Sequence, residues 1–108
     1  MTEARRYIRL LLSDLKTELQ RLEMWSDQYP SAEAMASTEP FAVDTLALEE
    51  WIQFIFMARL EAILDAGAPL PVSCEIAPYA EQCLQHKTDS ADLLRIIGKI
   101  DIMVTRTD

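Results

Sequence analysis

Residues 46–66, Leu-Ala-Leu-Glu-Glu-Trp-Ile-Gln-Phe-Ile-Phe-Met-Ala-Arg-Leu-Glu-Ala-Ile-Leu-Asp-Ala, contain no proline or glycine and are followed by Gly67, so they read as one helix with a glycine stop. On a regular helical wheel of about 100° per residue, Arg59 falls at the centre of the most apolar face. Leu48, Ile52, Ile55, Phe56, Ala62 and Ile63 lie within roughly 60° of it. A guanidinium there needs an anionic partner or a route to water, because a buried unpaired charge costs several kcal/mol. The polar strip of this helix, Glu50, Gln53, Glu61 and Asp65, is narrow, while Trp51, Phe54 and Phe56 point in different directions. No single neighbour could cover all three rings, so this is expected to be the central helix.

Outward from it, Ile8, Leu12, Leu15, Leu19 and Leu22 recur at alternating spacings of four and three, a seam for packing against other helices, with Thr2 as its N-cap. Trp25 and Tyr29 extend the stripe towards Pro30, which stops it. Ser31 to Asp44 is a long connection, with room for one helical turn over Ser31 to Ala36, and Asp44 or Thr45 is placed to cap the central helix. After the stiff turn Gly67-Ala-Pro-Leu-Pro71, Pro78 opens a short helix with Tyr79, Cys83 and Leu84 turned inwards. Asp89 or Ser90 caps a last helix striped by Leu93, Ile96, Ile97, Ile100 and Val104. No strand alternation or internal repeat is present. The expected fold is all-α, a four-helix bundle with a long first loop and a short third helix, forming one domain over 1–108.

Half of the residues are apolar, enough for one packed core in a chain of 108. Eighteen acids against ten bases give a formal charge of -8, so the mean field repels phosphate backbones and anionic lipid. Direct, tight nucleic-acid binding is not expected, and Arg5, Arg6 and Arg9 read as a solvated helix face. The longest apolar run is interrupted by Gln53, Arg59 and Glu61, so no membrane span is expected. Nothing in Met1 to Leu12 resembles an export signal, and two cysteines outside any CxxC pair fit reduced thiols. The expected compartment is therefore the cytoplasm.

Zinc takes about four convergent ligands, and Cys74, Cys83 and His86 do not supply them, so no metal or other cofactor is expected. With only Gly67 and Gly98 there is no phosphate-binding loop. Ser73 and His86 lie in no nucleophile context, and no catalytic motif is found, which leans against an enzyme.

The strongest constellation left is aromatic. Phe41, Trp51, Phe54 and Tyr79, with Pro69, Leu70 and Pro71, occur where loops meet the ends of the second and third helices. They either line a shallow groove, with Asp44 and Arg59 beside it, or seal the open end of the bundle. For Arg59 the expectation is a structural ion pair with a loop acid such as Asp44, or with Glu81 or Asp101; Asp44 is preferred because it would pin the long loop to the central helix. Ile102 and Met103 leave apolar surface compatible with packing against the loop or with a homodimer.

The strings Ser37-Thr38-Glu39-Pro40-Phe41, Asp44-Thr45, Glu50-Trp51-Ile52-Gln53, Arg59, Leu64-Asp65, Pro69-Leu70-Pro71 and Ala77-Pro78-Tyr79 together resemble the YqcC-like family of small bacterial proteins. The match runs from about Trp25 to Leu84 in order and spacing. The resemblance implies a cytoplasmic helical bundle, in a family linked by gene neighbourhood and name with tRNA pseudouridine synthase C. Synthases of that class are mixed α/β enzymes with an aspartate in a His-Arg-Leu-Asp type motif. Here Asp44 stands in Val-Asp-Thr, so the catalytic aspartate does not carry over. The reading is a non-catalytic binding or accessory module with a protein partner, for which the family association points to tRNA pseudouridine modification. The alternative is an enzyme or small-ligand binder using Arg59 and Asp44.

Overall fold

The computed structural model describes residues 3–70 and 75–106, with the backbone alone at Arg106. Thr2, Pro71, Ser73 and Cys74 lie outside the described residues. The fold is the all-α bundle expected, built from helices at Glu3–Arg21, 48–66, Ala77–Cys83 and Ala91–Arg106. A single helical turn, Ala32–Met35, and a 3-10 turn, Pro40–Ala42, punctuate the long first connection.

The first helix buries Ile8, Leu11, Leu12, Leu15 and Leu19 against the last, which buries Leu93, Ile96, Ile97, Ile100 and Val104. These two run antiparallel, since Arg21 at the end of one donates to Asp89 O just before the other, at 3.1 Å. The first helix ends before the proline that was expected to stop it. Glu23 takes a φ of +60° and Met24 N returns to Leu19 O at 2.7 Å, closing a six-to-one turn that satisfies the last carbonyls. Trp25 then folds back, and its ring lies under Lys16 Nζ at 5.0 Å.

The central helix departs from ideal geometry where it matters most. It is α-helical over Leu48–Trp51, π-helical over Ile52–Phe56, with Met57 N bonded to Ile52 O, and α-helical again over Met57–Ala66. A π turn accommodates one extra residue, so everything beyond it lags the regular wheel by about 100°. Leu60 and Leu64, which a regular helix would place about 80° and 120° round from Ile52, are brought to within about 20° of it. Leu48, Ile52, Met57, Leu60 and Leu64 thereby form one buried stripe. The same lag carries Arg59 from about 20° to about 120° away from that stripe, and its side chain is exposed. The guanidinium takes the route to water.

The ends of this helix also differ from expectation. Neither Asp44 nor Thr45 caps it: Ala47 is the N-cap residue, and Glu50 Oε1 accepts from Ala47 N at 2.8 Å. Thr45 Oγ1 instead donates to Ala34 O at 2.7 Å, closing the long loop on itself. Gly67 ends the helix as predicted, with a φ of +65° and Ala68 N bonded to Ile63 O at 3.0 Å. Arg5 and Arg9 are not idle surface: Arg5 Nη2 donates to Ala68 O and Arg9 Nη2 to Asp65 Oδ1, each at 2.7 Å, tying the first helix to the end of the central one.

In the short helix Ile76, Ala80 and Leu84 are buried at spacings of four, so Cys83, expected inside, is exposed. Asp101 Oδ2 accepts from Ala77 N at 2.7 Å and anchors the start of this helix to the last one.

Candidate functional site

The long loop reaches the central helix through a small second core. Ala42, Leu46 and Ile55 are buried together, with Ala34, Met35 and Trp51 packed against them. Seating the loop there requires Phe41 and Ala42 to adopt φ values of +57° and +48°, a left-handed conformation that costs non-glycine residues of order 1–3 kcal/mol each. What the strained backbone achieves is the placement of one ring. Phe41 stacks on Tyr79 at 4.4 Å and 10°, and meets Trp51 edge-on at 5.0 Å and 75°. Trp51 stacks in turn on Phe56 at 5.7 Å.

These rings are not a sealed plug. Beside them is a half-open cleft of about 300 Å³, walled by Phe41, Trp51, Ile55, Phe56, Leu60, Ile63, Ile76 and Val104, with Arg59 and Glu75 as its charged residues. The π turn supplies Ile55 and Phe56, and by rotating the next segment it brings Arg59 to the cleft and away from the core. Two independent departures from regular backbone, the left-handed pair at Phe41 and the π turn, thus shape the same cavity. Both kinds of irregularity are concentrated at functional sites in proteins generally.

Of the residues singled out from the sequence, Phe41, Trp51 and Arg59 meet at the cleft, and Tyr79 supports it from behind Phe41. Phe54 points elsewhere, against Tyr29 at 5.0 Å, because two residues beyond the buried Ile52 it lies about 160° round the helix from it. Leu70 is buried in the main core, and Pro69 is exposed and not among the cleft walls. Ile55, Phe56, Ile76 and Glu75 were not foreseen. The signal available for Phe56 was the spread of apolar residues around the whole circumference of 46–66, which one helical phase cannot explain.

The ion pair expected between Arg59 and Asp44 is not formed. Among the described residues the ion pairs are Arg9 with Asp65, Arg21 with Glu18, and Arg95 with Asp92. Asp44 instead accepts from the Ser37 hydroxyl, in a loop whose own turn satisfies it. The long loop is held to the central helix by the core of Ala42, Leu46 and Ile55, and the segment that precedes the loop is held by Gln53. Gln53 Nε2 donates to Ser26 O at 2.8 Å, and Ser26 N donates to Gln53 Oε1 at 2.9 Å, fastening the segment after the first helix.

Burial raises the Tyr79 phenol to a pKa of about 12, with a hydrogen bond to Cys83 as the lesser cause. It is neutral at physiological pH. Glu18 and Asp92 are held below the usual carboxylate range by their hydrogen bonds to Arg21 and Arg95. Among the described residues no three His, Cys, Asp or Glu side chains converge as a metal site, and no helix is long and apolar enough to cross a membrane.

Residues 7–103 match the model of a family described as tRNA pseudouridine synthase C. An uncharacterised protein of Haemophilus influenzae is 39% identical over 83 residues, covering 77% of this chain and 78% of that one. The uncharacterised protein YqcC of Escherichia coli is 32% identical over 94 residues, 87% of this chain and 84% of that one. The chain belongs to the YqcC-like family. Its fold agrees, for the solution NMR structure of E. coli YqcC superposes with a TM-score of 0.86 at 29% identity, over 99% of this chain and 92% of that one. A further relative of this YqcC-like chain is named tRNA pseudouridine synthase C, from Pectobacterium carotovorum. It is 41% identical over 66 residues, which are 61% of this chain but 18% of that protein. More than four-fifths of the Pectobacterium protein therefore lies outside the match.

Proposed function

We propose that the chain is a non-catalytic accessory module of the cytoplasm that acts through a protein partner, and that the partner is the tRNA pseudouridine synthase C of the same cell. The observation that carries the reading is the aromatic cleft, an apolar, half-open surface that the fold maintains against the cost of a strained loop. Rings of Trp, Tyr and Phe in partly open pockets are the side chains on which protein contacts concentrate their binding energy. The choice of partner rests on the Pectobacterium relative, in which a matching segment and a much larger remainder share one polypeptide.

Catalysis by this chain itself finds little support in the site. Among the described residues the cleft walls contribute one guanidinium and one carboxylate, and no thiol, hydroxyl or imidazole. An active site or ligand pocket built on Arg59 and Asp44 loses its second member, since Asp44 is engaged with Ser37 and is not a wall of the cleft. Direct tRNA binding meets the charge of -8, and Arg5, Arg9, Arg21 and Arg95 are spent on internal contacts.

Titration calorimetry of the purified chain into the synthase is expected to give a saturable complex of one to one. Incubation of the chain alone with unmodified tRNA is expected to form no pseudouridine, read by mass spectrometry of the nucleosides. Pseudouridine formed by the chain alone would refute the proposal.

A further inference from the structure

The cleft also specifies what enters it, a step that rests on the accessory reading. Its volume of about 300 Å³ is at the bottom of the range for small-molecule pockets and suits one bulky side chain with its flanking backbone. Three of its walls are aromatic, and Phe41 and Trp51 already meet edge to face, the arrangement in which a further ring is best received. Among the described residues its two charged walls have opposite sign and come from different elements, Arg59 from the central helix and Glu75 from the segment before the short helix. Both are exposed, and they are not paired with each other among the ion pairs of the described residues.

Apolar walls alone would accept any hydrophobic group. Charges at the rim of such a site add little affinity but decide which sequence is accepted, because a like charge opposite either one is penalised. We infer that the cleft takes an aromatic side chain of the partner polypeptide, flanked by an acidic residue that meets Arg59 and a basic residue that meets Glu75. The aromatic ring provides the hold; the two flanking charges fix its orientation and exclude segments of the reversed polarity.

Three tryptophan derivatives test this with the partner absent: N-acetyltryptophan, an anion, N-acetyltryptophanamide, neutral, and tryptamine, a cation. Added to the isotopically labelled full chain, each is expected to shift the amide signals of Trp51, Phe56 and Ile76 at millimolar concentration. Arg59→Gln should weaken the anion several-fold while leaving the neutral probe unchanged, and Glu75→Gln should do the same for the cation. Both residues are exposed, and an unchanged amide spectrum verifies that each variant is folded.

Shifts absent from the cleft with all three probes would overturn the inference, as would charge preferences that survive both substitutions. Binding of free N-acetyltryptophan tighter than about 10 µM would overturn it in favour of a metabolite site, since one residue of a peptide contact does not reach that affinity alone. If the probes behave as stated but the synthase does not bind, the choice of partner fails and the cleft chemistry stands. If the synthase binds an Arg59→Gln, Glu75→Gln double variant with the association rate and salt dependence of the native chain, the cleft inference alone fails.

Discussion

The Gln53 amide makes two hydrogen bonds to the backbone of Ser26, a residue half-buried at the turn out of the first helix. Its loss leaves a backbone donor and acceptor to find water in a partly closed site. Gln53→Ala is expected to lower the unfolding free energy by about 1–2 kcal/mol in urea titrations. Arg59→Ala, at an exposed position, should change it by no more than about 0.5 kcal/mol. Tyr79 gives a second residue-scale expectation. Its phenol is raised to about 12 in the fold, above its ordinary value near 10, so folding favours the neutral form. That stability is complete below pH 10 and lost as the pH rises from 10 through 12, by of order 2 kcal/mol. Tyr79→Phe should remove this component, seen as a flatter dependence of the urea midpoint over that interval.

At the scale of elements, the π turn decides both the register of the core and the shape of the cleft. Deleting one residue from a regular helix rotates everything after it by about 100° and turns its buried stripe outwards. Within Ile52–Phe56 the deletion should instead restore a regular helix with Leu48 and Ile52 still in phase with Leu60 and Leu64. Removal of Phe54 is therefore expected to give a cooperatively folding protein, whereas removal of Ala62 from the α-helical segment should abolish cooperative unfolding by circular dichroism.

The stripes of the first and last helices, the glycine stop at Gly67 and the turn at Ser31 to Ala36 were legible because each follows from local chemistry: spacing, left-handed freedom and side-chain capping. The π turn was not, since its stabilisation comes from burying Met57, Leu60 and Leu64 in the main core against the other helices. Arg59 on a regular wheel is the trace it left in the sequence, a charge where no charge belongs. Phe41 and Trp51 could be picked out as aromatics at loop–helix junctions. The left-handed backbone that aims Phe41, and the approach of Glu75 and Ile76 from 16 or more residues further along the chain, depend on tertiary packing that no local signal carries.

At the scale of the whole molecule the formal charge is -8, and three of the ten basic residues, Arg5, Arg9 and Arg21, hold the first helix against its neighbours. Acidic surfaces accelerate association with basic partners and repel competing nucleic acid, so binding to a tRNA-handling enzyme should weaken as salt is raised, mainly through a slower association rate. The affinity itself should reside in the rings. The most direct measurement is the dissociation constant of the complex with tRNA pseudouridine synthase C for the native chain and for a folded Trp51→Ala variant. Weakening of at least tenfold in the variant, about 1.4 kcal/mol, is predicted. Equal affinities for the two, or no complex with the native chain, would contradict the account.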